Sequence, residues 1–289
     1  MIYLLTVSYY GAEYLRILIP TLPIDAPLII INNAPSDRDL EALGTDFGDR
    51  SLHIFNAYQN LGFGQGCNLG LQYLYDRDPH ALVWLINPDT YSRSLNLQTL
   101  QHLFQQSPHL SILGTTVYTP DDRLWFGGGE FIARWGQIHE ADYRDRLQSQ
   151  DWVTCDWVTG CSLVINLANF TTCPQFDPAY FLYYEDFDFC QRYRHQGHTI
   201  AITDRLSLYH RPSSITDRNP RSKLRHSTYS HLLTLQRYAP LPILALRFLL
   251  ILFHLLLLFP QQPQQALGKL QGLGDWWSQW SQGHGHQPC

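Results

Sequence analysis

The chain has 289 residues, of which 45% are hydrophobic, so it can build one large domain or a domain with an appended segment. Its net charge of −5 and the lack of a zinc-finger or helix-turn-helix signature argue against a nucleic-acid partner. Six cysteines without a C-x-x-C pair indicate reduced thiols in a cytoplasmic protein, and the N-terminus lacks the basic region of a signal peptide.

The first 90 residues alternate apolar runs with helical spacing. Strands are predicted at 2–7, 27–31, 52–55 and 81–86, and helices at 14–22 and 66–75. This alternation indicates a mostly parallel sheet with helices on both faces. Ligands of such sheets bind beyond the carboxyl ends of the strands. The polar clusters at 32–37 and 87–89, which follow the second and fourth strands, are therefore expected to meet a ligand.

The remainder of the chain is less regular. Short β-like pieces are predicted between 110 and 180, then a helix at 186–196, a strand at 199–202 and a helix at 222–238. The Gln-, Gly- and Trp-rich tail after 260 is expected to pack poorly, at least at its end. These patterns divide the chain into a main domain at 1–238 and a C-terminal part at 239–289.

Residues 241–259 form an almost continuous apolar segment. A membrane-spanning helix needs about 20 such residues, and a charge near the bilayer centre costs about 2.5–3.5 kcal/mol. Arg247 and His254 interrupt the segment, although Arg247 lies near its start and could extend toward lipid headgroups. We expect membrane attachment, by spanning or by lying in the interface; the alternative is a buried helix at a dimer interface. Basic residues upstream are typical of a cytoplasmic flank: Arg218, Arg221, Lys223 and Arg225.

Two acidic sites carry the chemical signal. Glu185, Asp186 and Asp188 follow the apolar and aromatic residues 181–184, and apolar neighbours raise a carboxylate's pKa as a general base requires. Asp89 ends a separate apolar run about 100 residues earlier. A base in one place and a lone aspartate suited to a metal in another indicate metal-assisted group transfer.

The order of motifs resembles the family-two glycosyltransferases of the GT-A fold, especially their rhamnosyltransferase-like branch. The resemblance covers residues 2 to about 237. The motifs are the cluster at 32–37, the glycine-rich run at 60–70, Asn87-Pro88-Asp89, the segments 157–161 and 176–188, and Tyr209-His210. It implies a Rossmann-like, mostly parallel central sheet with helices on both faces; the C-terminal apolar helix lies beyond the region of resemblance.

The resemblance assigns the acceptor half of the site. Asp186 matches the family's catalytic base, which would take a proton from an acceptor hydroxyl during an inverting displacement. Glu185 and Asp188 would orient the acceptor or cap the following helix, and helix capping is also the structural alternative for the whole cluster. Trp157 and Gly160 match residues that border the acceptor.

The resemblance also assigns a nucleotide site. Asn32 has an amide where the family usually has an aspartate, so the identity of the donor's nucleobase is left open. The alternative role of the polar cluster at 32–37 is to close its loop by an Asx-turn. Glycines let the backbone approach a ligand closely. The expected nucleotide-binding residues are Ser8, Asn32, Asn33, Asp37, Asn60, Gly62, Gly64, Asn68 and Asn87.

A divalent metal is implied by Asp89, which matches the last aspartate of the family's D-x-D motif, with Asn87 at the first. His210 matches the family's late histidine, although a lone histidine after a strand is also a common structural residue. One carboxylate with diphosphate oxygens suits Mg²⁺ or Mn²⁺, and a histidine ligand favours Mn²⁺. Two further expectations concern Trp125 with 127–129 as a sugar-contacting or lid loop, and a pyrophosphate clamp or lipid-facing group formed by Arg211, Arg218 and Arg221.

The leading hypothesis is an inverting, metal-dependent glycosyltransferase that uses a nucleotide-sugar donor, with dTDP-rhamnose as a candidate. Its acceptor would be a polysaccharide precursor or a lipid-linked saccharide at the inner face of the cell membrane. Asn32 and Asn87 motivate the alternative, a non-catalytic sugar-nucleotide-binding or assembly component. A nucleotidyltransferase is disfavoured, since 8–11 lack the basic residues that its first loop would need. The oligomeric state is left open.

Overall fold

The computed structural model describes residues 1–211 and 219–282. The described strands are β1 (Ile2–Ser8), β2 (Leu28–Asn32), β3 (Leu52–Asn56), β4 (Leu82–Ile86), β5 (Thr90–Tyr91), β6 (Leu110–Tyr118), β7 (Leu124–Phe126), β8 (Gly129–Ile132), β9 (Gln137–Glu140), β10 (Val153–Thr154), β11 (Ser162–Asn166) and β12 (Thr199–His210). The described helices are α1 (Ala12–Leu18), α2 (Asp39–Asp46), α3 (Phe63–Arg77), α4 (Leu97–Gln106), α5 (Arg144–Leu147), α6 (Glu185–His195), α7 (Pro220–Tyr238), α8 (Leu241–Leu258) and α9 (Pro263–Ser281).

The central sheet has the strand order β10-β12-β6-β11-β4-β1-β2-β3. Strands β4, β1, β2 and β3 are parallel, which confirms the four predicted N-terminal strands. The other half is mixed, because β11 runs antiparallel to both of its neighbours, β4 and β6. Strands β8 and β9 form a separate hairpin.

Helices cover both faces of the sheet, as the all-buried pattern of β1 requires. Successive side chains of a strand point to opposite faces. Tyr3, Leu5 and Val7 therefore join the core beneath α3 and α6, whereas Ile2 and Leu4 join the core beneath α1, α2 and α4.

The sheet topology brings distant segments to one edge. Parallel pairing sets the carboxyl ends of β1 and β2 side by side, with Ser8 opposite Asn32. β11 begins at Ser162 opposite Ile86, so the residues that precede β11 lie beside the loop that follows β4. The short strand β5 pairs His210 with Thr90. The predicted motifs around 89, 160 and 210 are thereby neighbours.

Most of the tail after 260 is packed, contrary to the expectation, because α9 extends to Ser281 and packs on α7; the end of the tail, 283–289, lies outside the described residues. A Cβ added to Gly268 or Gly272 of α9 would lie 2.3 Å from a backbone carbonyl oxygen of α7, so these glycines permit the close approach. The two helices run in the same direction, since their hydrogen-bonded pairs are each 50 positions apart: Arg221–Gln271, Arg225–Asp275 and Tyr229–Gln279.

Helix α8 is apolar and mostly exposed. Its mean hydropathy is 2.5 and only 6% of its residues are buried. Among residues 1–211 and 219–282 it is the one helix that is long and apolar enough to cross a membrane. Its apolar surface includes large exposed side chains: Leu246, Leu249, Leu250, Phe253, Leu256 and Leu257.

Candidate active site

A cavity of about 990 Å³ lies at the carboxyl edge of β1 and β4. Its walls come from the loops after these strands, from the segment before β11, from the start of α6, and from the hairpin and the C-terminal helices. Ten of the residues singled out in the sequence line this cavity: Asn33, Asn60, Gly62, Asn87, Asp89, Trp157, Gly160, Glu185, Asp186 and His210.

The start of α6 is held by an unusual turn. Tyr183 and Tyr184, both at the cavity wall, have φ angles of 69° and 64°, in the left-handed region that non-glycine residues rarely adopt. Such backbone strain costs about 1–3 kcal/mol per residue and persists only where the surrounding structure enforces it. The turn aims the first two carboxylates of α6 into the cavity.

Asp186 is fixed by backbone N–H donors. The N–H of Gly160 donates to one carboxylate oxygen at 2.9 Å and the N–H of Phe187 to the other at 2.8 Å. Burial raises the pKa of Asp186, whereas these N–H groups lower it in part. The result is a carboxylate in a defined orientation whose proton affinity exceeds that of an exposed aspartate, as a general base requires.

Glu185 is buried beside Asp186. Burial, and next the charge of Asp186, raise its pKa to about 8, so Glu185 is protonated at neutral pH. One of its carboxyl oxygens has no hydrogen-bond partner among the described residues. A protonated carboxyl group in the cavity wall can donate a hydrogen bond, whereas Asp186 can only accept one when it is ionised.

Asp89 and His210 form the second acidic feature of the cavity. Their Oδ1 and Nε2 atoms are 3.2 Å apart, both residues are buried, and the edge of the Trp125 ring packs against His210 at 4.4 Å between centroids. The Nδ1 atom of His210 is buried and has no partner in the described part of the chain. Backbone contacts fix the loop, since Asn87 donates its N–H to the carbonyl of Cys161.

The donor set at Asp89 and His210 fits a divalent cation that a bound ligand completes. Two converging protein atoms, one oxygen and one nitrogen, leave most of an octahedral shell for ligand and water oxygens. Among residues 1–211 and 219–282, no three His, Cys, Asp or Glu side chains come together as a metal cage. The cation would therefore be held jointly by the protein and its substrate.

The two acidic features share one neighbour. Burial, followed by the charges of Asp89 and Asp186, raises the pKa of the Cys161 thiol. Both carboxylates therefore lie near Cys161, whose backbone carbonyl holds the loop after β4. Asp89 and Asp186 line the same cavity.

The loop from 60 to 62 forms another wall. Asn33 donates to the carbonyl of Gly62 and to Oδ1 of Asn60, and accepts from the N–H of Leu61. Gly62 has a φ of 80°, and a Cβ there would lie 2.0 Å from the carbonyl oxygen of Phe181. Only glycine fits this position, which joins the loop to the segment that leads into α6.

Several predicted nucleotide residues lie behind the cavity wall. Asn32 donates to Asn56 and accepts from the N–H of Ala34, so its side chain closes an Asx-turn. Asn68 donates to the carbonyl of Phe176 and accepts from its N–H. The predicted residues that do not line the cavity are Ser8, Asn32, Asp37, Gly64, Asn68 and Asp188.

Asp188 is placed as an anchor between helices. Its fully buried carboxylate accepts from Arg192 at 2.7 Å, from Arg237 at 2.9 Å and from the hydroxyl of Tyr238 at 2.8 Å. These contacts connect α6 with α7. The structure therefore corrects the expectation that Asp188 orients an acceptor, because its side chain points away from the cavity.

The cavity also contains basic residues that the sequence motifs did not identify. α7 contributes Lys223, His226 and His231, and α8 contributes Arg247. The helical spacing of the α7 residues was the available signal, although it is equally typical of a solvated face. Of the expected clamp, Arg221 donates to Gln271 of α9, and Arg218 lies outside the described residues.

The segment that was expected to form a loop over the site, Trp125 with 127–129, is packed against neighbouring side chains. Trp125 lines the cavity, as expected. The glycines at 127–129 instead accommodate bulky neighbours, since a Cβ at Gly129 would lie 2.1 Å from Nε1 of Trp157. The ring of Trp157 lies in the cavity wall and packs against Phe126 at 5.0 Å.

The sequence of this chain resembles that of a known enzyme. No family model matches the chain. Over 220 residues the chain is 22% identical to the low-salt glycan biosynthesis hexosyltransferase Agl10 of Haloferax volcanii. That match spans 72% of this chain and 66% of the relative, which is just under two thirds of its length.

Solved structures share the fold. One is GalNAc-T7 with UDP, GalNAc and Mn²⁺, with a TM-score of 0.59 and 10% identity, over 81% of this chain and 47% of that one. Another is the mannosyltransferase PcManGT from Pyrobaculum calidifontis in complex with GDP-Man and Mn²⁺, with a TM-score of 0.52 and 14% identity, over 98% and 79%. The mixed α/β architecture is that of the GT-A type, which confirms the predicted fold.

Proposed function

We propose that the protein is a glycosyltransferase that moves a hexosyl group from a nucleoside-diphosphate donor to a hydroxyl group. The observation that carries this proposal is that Asp186 and the Asp89–His210 pair line one cavity, together with Cys161. The likeness to a hexosyltransferase, and to structures that hold UDP or GDP-Man, supports the class of donor.

Asp186 acts as the general base and the transfer inverts the anomeric centre. The acceptor hydroxyl attacks the anomeric carbon while the bond from that carbon to the diphosphate oxygen breaks. The hydroxyl proton passes to Asp186, and the electron pair of the broken bond leaves with the nucleoside diphosphate. The N–H groups of Gly160 and Phe187 hold the carboxylate in place for this transfer.

Asp89 and His210 hold Mn²⁺ or Mg²⁺ together with the donor diphosphate. When bound, the cation neutralises charge that develops on the leaving diphosphate. Loop 60–62 with Asn33, and Asn87, face the nucleotide in the cavity. The side chains of Asn32, Asp37 and Asn68 instead hold backbone groups at Ala34, Asp39 and Phe176. A rhamnose donor is one candidate that follows from the sequence resemblance.

Helix α8 attaches the protein to the cytoplasmic face of a membrane. Its exposed apolar side chains support this attachment, since an exposed apolar surface of this extent marks an interaction site. Residues 1–238 form the catalytic unit and 239–289 the attachment unit, and the two share a core because α9 packs on α7. The acceptor is a saccharide on a polysaccharide precursor or on a lipid.

A panel of nucleotide sugars tests the proposal. Full-length protein is incubated with each donor, with and without Mn²⁺, and nucleoside diphosphate release is measured. We expect release from at least one donor that depends on Mn²⁺ and is lost in Asp89→Ala, with exposed Asp145→Ala as the matched control. Metal-dependent binding of donors without any turnover would instead favour the non-catalytic sugar-nucleotide-binding alternative.

A further inference from the structure

Arg247 differs from the other residues of α8 in its charge and in its position. The helix is otherwise apolar apart from His254, and most of its side chains face outward. Arg247 instead lines the cavity and is half-buried. No carboxylate within 1–211 or 219–282 forms an ion pair with it. A half-buried cation without a counter-charge is unfavourable unless a ligand supplies the charge.

Two further basic side chains, His231 and Lys269, lie near Arg247. His231 of α7 also lines the cavity, and its buried Nδ1 atom has no partner among the described residues. Burial, followed by the charges of Arg247 and Lys269, lowers the pKa of His231 to about 4. Lys269 of α9 is likewise partly buried and has no carboxylate partner in the described part of the chain. His231 is therefore uncharged at neutral pH and can form a hydrogen bond, whereas Arg247 and Lys269 supply positive charge near it.

His231 and Arg247 lie near the acceptor half of the cavity. The ring of His231 packs on that of Tyr184 at 5.5 Å, and the charge of Arg247 acts on the same tyrosine. Tyr184 immediately precedes Glu185 and Asp186. The cavity-facing side of α7 runs from Asn219 to His231, about 18 Å along the helix at 1.5 Å per residue. A long substrate therefore has room between the ends of the cavity.

The apolar face of α8 continues directly from Arg247. Leu246 and Leu250, the neighbours of Arg247 along the helix, are about half exposed, with fractions of 51% and 47%. A ligand whose anionic group lies at Arg247 would place an attached apolar chain along these side chains. A phosphate joined to a long hydrocarbon combines both properties, because a guanidinium group binds phosphate in a bidentate manner.

We propose that Arg247, with His231 and Lys269 beside it, binds the phosphate of a lipid-phosphate-linked acceptor, with the acceptor's hydrocarbon chain along α8. This inference rests on the proposed function, since it specifies the acceptor of the same site. The acceptor hydroxyl then lies toward Asp186, and the donor diphosphate lies at Asp89 and His210.

Vesicle binding tests the inference without requiring catalysis. Full-length protein is floated with phosphatidylcholine vesicles that contain hexadecyl phosphate, hexadecanol or phosphatidylglycerol. We expect the wild type to prefer hexadecyl phosphate over hexadecanol by about tenfold or more, as a charge-assisted phosphate contact provides. Arg247→Gln removes most of this preference and Arg247→Lys retains part of it. Arg77→Gln, an exposed arginine on α3, retains the whole preference.

Three results would overturn the inference. The first is an equal affinity of the wild type for all three kinds of vesicle. An equal preference for phosphatidylglycerol and hexadecyl phosphate over hexadecanol would count with it, because it would indicate general attraction to an anionic bilayer. The second is an unchanged preference in Arg247→Gln. The third is weaker binding of UDP or GDP by Arg247→Gln without any change in vesicle binding, which would assign Arg247 to the donor.

Kinetics separate this inference from the proposed function. If the enzyme transfers sugar, Arg247→Gln should raise KM for the lipid-phosphate acceptor about tenfold and leave KM for the donor unchanged. Absence of transfer from every donor, together with the vesicle preference and its loss in Arg247→Gln, would refute the proposed function alone. Transfer with an unaltered acceptor KM in the variant would refute the inference alone.

Discussion

The protonated Glu185 predicts an unusual dependence of stability on pH. Folding raises the pKa of Glu185 from 4.5 to about 8, chiefly by burial. A carboxyl group of this kind destabilises the folded state as it ionises, so stability falls as pH rises from about 4.5 through about 8. At 1.36 kcal/mol per pKa unit, this fall amounts to about 2–3 kcal/mol between pH 5 and pH 7.

The substitution Glu185→Gln removes the ionisation and keeps the shape of the protonated group. We expect the stability of the variant relative to the wild type to increase by about 2–3 kcal/mol between pH 5 and pH 7. A difference of this size raises the melting temperature of the variant by about 5–10 °C relative to the wild type. Thermal unfolding followed by circular dichroism at several pH values measures the difference.

The control for this experiment is Glu41→Gln, which removes an exposed carboxylate on α2. The melting temperature of that variant should follow the wild type at every pH. If Glu185→Gln and the wild type differed by the same amount at pH 5 and pH 7, Glu185 would be ionised throughout, and its assignment as a buried, protonated group would be refuted.

Two further predictions concern the supports of the site. Asp188→Asn should destabilise the protein by about 3–5 kcal/mol, because it removes the carboxylate that pairs with the largely buried Arg192, and chemical denaturation measures this loss. Gly62→Ala should impair nucleotide binding and lower the melting temperature, because its Cβ would overlap the carbonyl of Phe181 at a φ of 80°. Calorimetric titration with nucleoside diphosphates follows the binding.

Matched variants accompany both predictions. Asp142→Asn breaks an exposed ion pair with Arg144 and should cost less than about 1 kcal/mol. Gly44→Ala places a methyl group in open space on α2 and should be neutral or stabilising. The anchor role of Asp188 would be untenable if Asp188→Asn cost no more than Asp142→Asn. An active, stable Gly62→Ala would contradict the tight contact with Phe181.

The N-terminal half of the fold was predictable because its signals are local. Strands buried on both faces read as apolar runs, and polar residues mark their carboxyl ends, as at Asn32 and Asn87. The antiparallel pairing of β11 was not predictable, because its partners β4 and β6 are distant in sequence. α9 was missed because its packing depends on α7, where Gly268 and Gly272 permit close contact.

The site was predictable in part for the same reason. Asp186 and Asp89 stand in local motifs that the structure brings together. Asp188 has the same chemistry as Asp186, but two residues along a helix rotate a side chain by about 200°, so it faces α7. Arg247 carried no local signal, since only the tertiary fold brings α8 to the cavity.

The central claim is that Asp186 is the base of a sugar transfer. The most direct measurement compares the wild type with Asp186→Asn for two quantities, donor binding by calorimetry and transfer to acceptor by product formation. The account predicts that donor affinity is preserved and transfer falls by at least about a hundredfold, as loss of a general base implies. Full transfer activity in Asp186→Asn, at unchanged donor affinity, would contradict it.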